Sequence, residues 1–568
     1  MTIFNINKSA KKYLPVIAFF ISAAYLILVY HFLGFYFETN DDRQIAEILS
    51  GALTGSPESR TSNMNCILGF PLAFLYKITT NVPWYGLMLV LFLFLCYGFL
   101  LESLYLHCKT TVDFIFSSVL VASIFLCSIY TSSLLQYTCI ASMIAICGYV
   151  CLFLQPEPKK KYIVFFLFEF LAYALRDKAM LMIQPFGLAL FVGLLWTSKK
   201  LWRNKLREFL FVCLTIVLSV FLGFLGHNTV YHQSEWKEYE RFHKCREQLF
   251  DFYGTPSYDS VTDILNKYNV SKAEYEAFQH YTILDGNINS DCLEELVEFT
   301  TSSHQIQTDW SVIFSQIVDT YFGNGYWMLG RVTIIAWFIF LLLAILRKQY
   351  QYLFPAIMLC FAHFFVWGFL FYRGRIVNRV CLPLYLCEII FLTILFWLCC
   401  RDSSEKSKAA IITRILSVAG CIILLYGSYQ TGVQQYRYAT EQISMQKIFW
   451  NGMYEIQEYC YSYPEQRFIL ESNSMSYYRG NALDTKVYKT RNNILSGGWY
   501  SNSPAHKNYV RNYLSNDYHD FYLIRAESDD PMFRYSLVYL SELSGSSPII
   551  VDKFTASHGG TYLVYYYE

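Results

Sequence analysis

Long runs of apolar residues recur along most of the chain, separated by short polar connections. A run of about 20 apolar residues is long enough to cross a bilayer as a helix, and hydropathy gives about 11 such spans here. The predicted spans are 13–37, 84–106, 111–130, 133–155, 162–175, 179–198, 208–227, 327–346, 351–372, 380–400 and 409–430. This pattern predicts an all-α polytopic membrane domain.

The connections between the spans alternate in charge, and every second one is basic. The basic positions are Lys8, Lys11 and Lys12 before the first span, then Lys109, 159–161, 199–205, 347–348 and 401–408. Because basic connections stay in the cytoplasm, the alternation puts the N-terminus inside and the C-terminus outside. Span 162–175 is short and contains Glu169, but without it the basic residues after 198 would lie outside. We therefore predict a multi-pass protein of the cytoplasmic membrane.

This topology places three large polar segments outside the cytoplasm. They are the loops 38–83 and 228–326 and the residues that follow the last span. On this basis the chain divides into a membrane domain, residues 1–430, and an exterior C-terminal domain, residues 431–568.

The C-terminal domain has the pattern of a small α/β fold. Apolar residues recur at helical spacing over 441–460, and four later runs are rich in β-branched and aromatic residues, as strands are. The strand-like runs are 467–470, 521–524, 549–551 and 561–564.

Composition supports the membrane class and narrows the chemistry. Hydrophobic residues make up 54% of the chain and charged residues 16%, well below the ~25% charge typical of soluble domains. A net charge of +1 gives no basis for nucleic-acid binding. Most of the 17 cysteines fall inside apolar runs, where they act as small hydrophobic residues, although Cys245 and Cys292 share one polar loop and can pair there. No CxxC or HExxH motif is present, and His363 is interpreted as a hydrogen-bonded core histidine, so the sequence predicts no metal site.

Two adjacent carboxylates, Asp41 and Asp42, follow the first span directly. A carboxylate at the membrane surface stays hydrated enough to ionise, while the apolar wall beside it can raise its pKa toward that of a general base. The alternative is structural, because a helix that begins here would use Asn40 or Asp41 to accept backbone N–H bonds.

The predicted exterior connections also carry cations, against the trend of the topology. Charges at a membrane boundary are costly unless they pair or bind something, and guanidinium groups suit the phosphate of a lipid-linked donor. The candidate phosphate-binding residues are Arg176, Lys178, Arg373, Arg375 and Arg379. The alternative is that they pair with Asp177, Glu169 or acidic lipid head groups.

The first exterior loop resembles that of the GT-C membrane glycosyltransferases. The resemblance is carried by Asn40-Asp41-Asp42, by the turn 50–58 and by the stretch from Leu68 to Tyr85. It implies a multi-span domain, a site facing away from the cytoplasm, an exterior C-terminal domain and a polyprenyl-phosphate-linked sugar donor. By this resemblance Asp41 is the best candidate for the catalytic carboxylate, with Asp42 close behind.

The predicted function is therefore sugar transfer from a polyprenyl-phosphate donor to a glycan, lipid or protein acceptor. The alternative is a transporter or polymerase-type protein that handles lipid-linked saccharides. Carriers more often show two related halves, which this sequence lacks, and a large exterior loop and tail favour the enzyme. The motifs demand no cofactor, and a requirement for a divalent cation stays open.

Overall fold

The computed structural model describes residues 12–108, 111–282, 284, 286–303, 309–322, 329–401, 408–475, 478–486, 493–514, 518–528 and 534–568. Lys8, Lys11, Lys109 and Lys406, which contribute to the topology prediction, lie outside these residues. The chain divides into two compact units. The first, called the membrane unit here, comprises Met1–Phe35, Met88–Phe224 and Ile306–Glu441. The second, called the sheet unit, comprises Tyr36–Leu87, Leu225–Gln305 and Gln442–Glu568.

The membrane unit is built from long apolar helices, three of which cross a unit boundary along the chain. The helices are Leu14–Phe32, Trp84–Tyr105, Thr111–Cys127, Ile129–Ser133, Tyr137–Leu154, Pro158–Leu175, Asp177–Thr197, Trp202–Val230, Trp310–Phe322, Leu329–Leu346, Leu353–Tyr372, Asn378–Arg401 and Lys408–Tyr461, with a 3₁₀ turn at Tyr350–Tyr352 and a short strand at Leu134–Leu135. Among the described residues, nine helices are long and apolar enough to cross a membrane. The predicted polytopic α-helical architecture is confirmed.

Two of the predicted spans are helices that fall outside this set of nine. The span 111–130 ends early, as the 17-residue helix Thr111–Cys127. The span 162–175 begins earlier than predicted, as the 18-residue helix Pro158–Leu175, because Pro158 suits the first helical turn. The three lysines 159–161 then join the helix and dilute its apolar character.

The centre of the membrane unit is formed by the helices Tyr137–Leu154 and Asn378–Arg401. In each of them 94% of an 18-residue apolar stretch is buried within the protein, whereas only 22% of the corresponding stretch of Trp202–Val230 is buried. An apolar helix with so little protein cover exposes leucine and phenylalanine side chains, which is the arrangement expected where lipid covers a helix.

Ionisable side chains inside the membrane unit have partners, as their cost in a bilayer requires. Glu102, near the end of its helix, pairs with Lys160 at 2.6 Å. The buried Glu388 accepts hydrogen bonds from Tyr321 at 2.8 Å and from His363 at 3.1 Å. The interpretation of His363 as a hydrogen-bonded core residue is thereby confirmed.

The sheet unit combines a five-stranded sheet with short helices. The five strands of the sheet are Arg467–Leu470, Ile494–Ser496, Phe521–Ala526, Ile549–Thr555 and Thr561–Tyr567, and the unit also contains the separate two-residue strand Tyr36–Phe37. Its helices are Asn40–Ser50, Cys66–Ile78, Ser234–Gln248, Thr262–Lys267, Lys272–Gln279, Ser290–Ser303, Ser472–Met475, Pro504–Leu514 and Tyr535–Ser544, with a π-helical turn at Leu249–Tyr253 and a 3₁₀ turn at Tyr258–Ser260. The predicted helix 441–460 is the last part of Lys408–Tyr461, which runs through residue 430 without a break.

The sheet is mixed in direction. Ile494–Ser496, Arg467–Leu470 and Phe521–Ala526 are neighbours and run parallel. Thr561–Tyr567 pairs antiparallel with Phe521–Ala526, and Ile549–Thr555 forms the edge beyond it. All four predicted strands are present. The fifth, Ile494–Ser496, has only three residues and therefore lacks a readable alternation.

Chemical labelling tests the predicted orientation of the chain. Ser557 and Lys199 are both exposed, and the topology puts the first outside the cytoplasm and the second inside. We expect a membrane-impermeant maleimide to label Ser557→Cys in intact cells and to label Lys199→Cys only after lysis. The unmodified chain measures the background from its own cysteines. The reverse labelling pattern would contradict both the topology and the location of the candidate site.

Candidate functional site

A cavity of about 160 Å³ in the sheet unit has Asp41 in its wall. We call it the Asp41 cavity. Three parts of the chain that are far apart in sequence contribute to it. Its lining residues are Asn40, Asp41, Arg43, Gln44, Glu47, His280, Tyr281, Met453, Leu470, Ser472, Asn473, Met475, Ser496, Gly497, Gly498 and Trp499.

The position of the Asp41 cavity follows from the sheet. Leu470 and Ser496 are the last residues of two neighbouring parallel strands, and the chain that leaves each strand continues along the cavity wall. In open sheets with parallel strands, binding sites form at the carboxyl ends, where the connecting segments diverge. The helix Asn40–Ser50 completes the wall with the residues of its first two turns.

Asp41 and Asp42 have different environments. Asp41 is partly exposed and lines the cavity. Asp42 is fully buried, and it accepts hydrogen bonds from Tyr85 at 2.9 Å and from Thr39 at 3.3 Å. Tyr85 is itself fully buried, so Asp42 ties the helix Asn40–Ser50 to the start of Trp84–Tyr105. Of the two, Asp41 has the position that a substrate-binding carboxylate needs.

The helix begins one residue earlier than the capping alternative requires. Its N-cap residue is Thr39, in an extended conformation, so Asn40 and Asp41 both belong to the first turn. A first-turn carboxylate is common, because the helix N-terminus favours negative charge. The N-cap assignment of Asn40 or Asp41 is therefore wrong, although a contribution of Asp41 to helix stability remains.

Arg43 is held by the wall of the cavity. Its guanidinium donates hydrogen bonds to the backbone carbonyls of Tyr478 and Met475, and its Nε lies 3.8 Å from a carboxylate oxygen of Glu47. Both the Arg43 and Glu47 side chains are nearly buried. The opposite charges of Arg43 and Glu47 compensate each other. The other carboxylate in the cavity wall is Asp41.

His280 and Tyr281 enter the cavity from the second loop, residues 228–326. Burial lowers the pKa of His280, and burial raises the pKa of Tyr281, with the Asp41 carboxylate adding to that rise. Both side chains are thus neutral near pH 7. Asn473 bonds the His280 ring at 3.0 Å, and Ser472 donates to the Tyr281 carbonyl at 2.7 Å. These bonds hold the second loop against the sheet.

The loop Gly497-Gly498-Trp499 forms the third part of the wall. A Cβ atom on Gly498 would lie 1.8 Å from the Gln44 amide nitrogen, and Gly498 has a φ of +151°. Only glycine allows this approach and this conformation. The Nε1 of Trp499 is buried without a hydrogen-bond partner in the described part of the chain. The Trp499 indole lines the cavity, while this N–H is closed to solvent in the present conformation.

His506 supports this loop and makes the sheet unit sensitive to acid. Its ring bonds the Ser496 carbonyl at 3.0 Å, and burial lowers its pKa from 6.5 to about 4. The unfolded chain therefore takes up a proton as pH falls below 6.5, whereas the folded chain does not until about 4. We expect the free energy of unfolding to drop by roughly 2 kcal/mol between pH 7 and pH 5.

Thermal unfolding in detergent at the two pH values measures this effect. In His506→Gln the difference between pH 7 and pH 5 should shrink, even if that variant is less stable at both. An unchanged difference would show that other groups cause the acid sensitivity.

The candidate cations belong to the membrane unit, where two of them adjoin the start of one helix. The guanidinium of Arg176 lies 5.5 Å from the ring centre of Tyr137. The Cys139 thiol donates to the Arg379 carbonyl at 3.5 Å. Tyr137 and Cys139 are in the first turn of Tyr137–Leu154, so the structure brings Arg176 and Arg379 to the same end of this helix.

Three helices begin at this end of the membrane unit. Tyr137–Leu154, Asp177–Thr197 and Asn378–Arg401 pack against one another. Lys178 lies in the first turn of the second helix and Arg379 in the first turn of the third. Helix N-termini carry partial positive charge, so their convergence beside these cations suits an anion. Gln136 already accepts the Cys139 N–H, and the Asp177 carboxylate accepts that of Lys178.

Arg375 and Arg379 do not share a helical face, contrary to what their spacing of four residues suggests. The helix that begins at Leu353 ends at Tyr372, and Gly374, with a φ of +65°, lets the Arg375 N–H bond the Leu370 carbonyl at 3.0 Å. The next helix begins only at Asn378, so Arg375 lies in the turn between the two. Arg373 is exposed and Arg375 partly so.

Within the described ranges, no group of three or more His, Cys, Asp or Glu side chains is arranged to hold a metal ion. The Asp41 cavity brings two carboxylates, Asp41 and Glu47, into its wall, and Arg43 lies beside the second. A divalent-cation requirement stays an open prediction.

Comparison with known proteins gives a structural likeness but no sequence match. No protein-family model matches the chain, and no curated protein matches its sequence. Among solved structures the chain is similar to ArnT from Cupriavidus metallidurans, crystallised bound to undecaprenyl phosphate. The match covers 97% of each chain, with a TM-score of 0.48 and 8% sequence identity. At this level of similarity the match assigns no residue, substrate or activity to this chain.

Proposed function

We propose that this multi-pass membrane protein is a glycosyltransferase that moves a sugar from a polyprenyl-phosphate-linked donor to an acceptor outside the cytoplasm. The observation that carries the proposal is the Asp41 cavity, in which a partly exposed carboxylate shares a polar wall with aromatic side chains. A multi-span helical unit suits such a donor, because the polyprenyl chain of the donor lies in the bilayer.

Asp41 acts as the general base. The hydroxyl oxygen of the acceptor attacks the anomeric carbon of the donor sugar and forms the new C–O bond. Asp41 takes the proton of that hydroxyl, which makes the oxygen a stronger nucleophile as the bond forms. The Trp499 ring can pack against the sugar, and the neutral His280 ring can hold a sugar hydroxyl in position.

The cations of the membrane unit stabilise the leaving group. The bond between the anomeric carbon and the phosphate oxygen breaks, and the polyprenyl phosphate departs with the electron pair. Arg176, Lys178, Arg373, Arg375 and Arg379 supply positive charge as this negative charge develops. The support for this role is the convergence of three helix N-termini beside Arg176, Lys178 and Arg379.

The proposal is tested with purified protein and a panel of polyprenyl phosphates that carry different radiolabelled sugars. A glycosyltransferase should release polyprenyl phosphate and transfer the label to acceptors from envelope extracts, whereas heat-denatured protein should do neither. A transporter would instead move the intact donor across the bilayer of proteoliposomes. Movement without cleavage for every donor in the panel would overturn the proposal.

A further inference from the structure

A second cavity in the sheet unit is larger than the first and more polar. It holds about 560 Å³, within the ~300–1,000 Å³ typical of small-ligand sites. We call it the Tyr509 cleft. Its wall includes Tyr509, three amide side chains (Gln233, Asn508 and Asn512) and the hydroxyl residues Thr54 and Ser56.

The amide side chains of the cleft are available to a ligand. Gln233, Asn508 and Asn512 are exposed, and in the described part of the chain none of them has a side-chain hydrogen bond within the protein. Asn508 and Asn512 are four residues apart on the helix Pro504–Leu514, so they share one face. Each amide offers both a donor and an acceptor, which matches neighbouring hydroxyl groups on a sugar ring.

The charges of the cleft argue against a phosphate ligand. Arg60 is the one cation among the described lining residues, and it forms two bonds to Glu58, at 2.9 and 3.0 Å. Its guanidinium also lies 4.0 Å from the ring centre of Trp236. Because this charge is already matched, the exposed Glu235 leaves the cleft slightly acidic. A neutral or amino-bearing polyol suits it better than an anionic lipid head group.

The Tyr509 cleft and the Asp41 cavity have two stretches of chain in common, to which each adds further residues. The helix Asn40–Ser50 lines the cavity, and the residues that follow it, from Thr54 to Arg60, line the cleft. The loop that ends at Trp499 lines the cavity, and the helix Pro504–Leu514 lines the cleft. Between them, the buried Tyr500 donates a hydrogen bond to the Arg60 carbonyl at 2.5 Å. The two sites are thus parts of one local structure.

We propose that the Tyr509 cleft binds the saccharide chain of the acceptor, so that the acceptor of this enzyme is a glycan. This inference rests on the proposed function. Tyr509 lies over Gly55, where a Cβ would come 2.6 Å from its ring, and it supplies the aromatic surface of the cleft. The amides of the cleft bind hydroxyl groups along the glycan.

Binding of the purified full-length chain to a printed array of bacterial and synthetic oligosaccharides tests the proposal. The wild type should bind a subset of glycans, and Asn508→Ala/Asn512→Ala should lower that signal at least tenfold. Arg511→Ala, an exposed change on the same helix outside the cleft, should leave it unchanged. Absence of glycan binding, or equal binding by the Asn508/Asn512 variant, would overturn the proposal. So would a double variant that instead loses binding to phosphatidylglycerol vesicles.

The same variants separate this inference from the proposed activity. Asp41→Asn should keep array binding and lose transfer, whereas the Asn508/Asn512 variant should raise the acceptor KM and still release donor phosphate at saturating acceptor. If the wild type binds glycans but transfers no sugar, the proposed transferase activity is contradicted, and the cleft remains a saccharide-binding site. If the Asn508/Asn512 variant transfers sugar with an unchanged acceptor KM, the cleft does not bind the acceptor, and the proposed transferase activity stands.

Discussion

Asp41→Asn is expected to lower the turnover of sugar transfer by about 100-fold or more, because the amide cannot accept the acceptor's proton. The substitution keeps the size of the side chain. Since Asp41 is partly exposed in the cavity wall, the variant should fold and bind donor as the wild type does. The measurement is transfer per molecule of purified, folded protein.

Asp42→Asn is the matched control, as the same chemical change on the neighbouring residue. Asp42 is buried and hydrogen-bonded to Tyr85 and Thr39, so its loss should appear mainly as reduced stability, by about 1–3 kcal/mol. If Asp42→Asn abolishes turnover while Asp41→Asn keeps it, the two roles are exchanged. If both variants keep full turnover, the base lies elsewhere and the pair serves the helix start alone.

Arg375→Ala is expected to raise the activation free energy by about 2–4 kcal/mol, chiefly through turnover, because it removes a phosphate contact that strengthens as the leaving group departs. Arg375→Lys should lose less, since lysine keeps the charge but not the two-pronged guanidinium geometry. The position of Arg375 in the turn between Leu353–Tyr372 and Asn378–Arg401 makes both changes easy to accommodate.

Yield and turnover must be measured together for the Arg375 variants. A structural arginine would lower the amount of folded protein and leave turnover per molecule unchanged. Arg437→Ala, an exposed arginine change on Lys408–Tyr461, controls for the loss of a positive charge as such. A fall in yield alone for Arg375→Ala would remove this residue from the site.

The architecture was predictable from the sequence where one local pattern decides it. Apolar length identified the spans, and β-branched and aromatic runs identified four of the five sheet strands. The strand Ile494–Ser496 escaped because three residues cannot show alternation. Hydropathy predicts the span 162–175 too short, because the apolar pattern begins only after the lysines 159–161, whereas the helix begins at Pro158 and includes them.

Only one segment of the candidate site, the one that contains Asp41, was predictable from the sequence. The place of Asp41 after the first span identifies it, but its neighbours His280 and Trp499 lie hundreds of residues away, and no local pattern predicts that they lie beside it. The difference between Asp41 and Asp42 depends on the helix phase, since successive side chains are turned about 100° apart. The start of the helix at Asn40 sets that phase.

The spacing of Arg375 and Arg379 misled for a related reason. Residues four apart share a face only when both lie in the same helix. The left-handed conformation of Gly374 terminates the helix Leu353–Tyr372 before Arg375. A glycine after an apolar span was visible in the sequence, but its conformation depends on the hydrogen bond between Arg375 and Leu370.

The contact between Gly498 and Gln44 has an evolutionary consequence. Because a Cβ at position 498 would overlap the Gln44 amide, a family member with alanine or serine at that position needs a shorter side chain at position 44 and a different backbone conformation at position 498. The two positions should therefore covary among homologous sequences, although one lies near the start of the chain and the other near its end. Such covariation would identify the homologous proteins that retain this cavity.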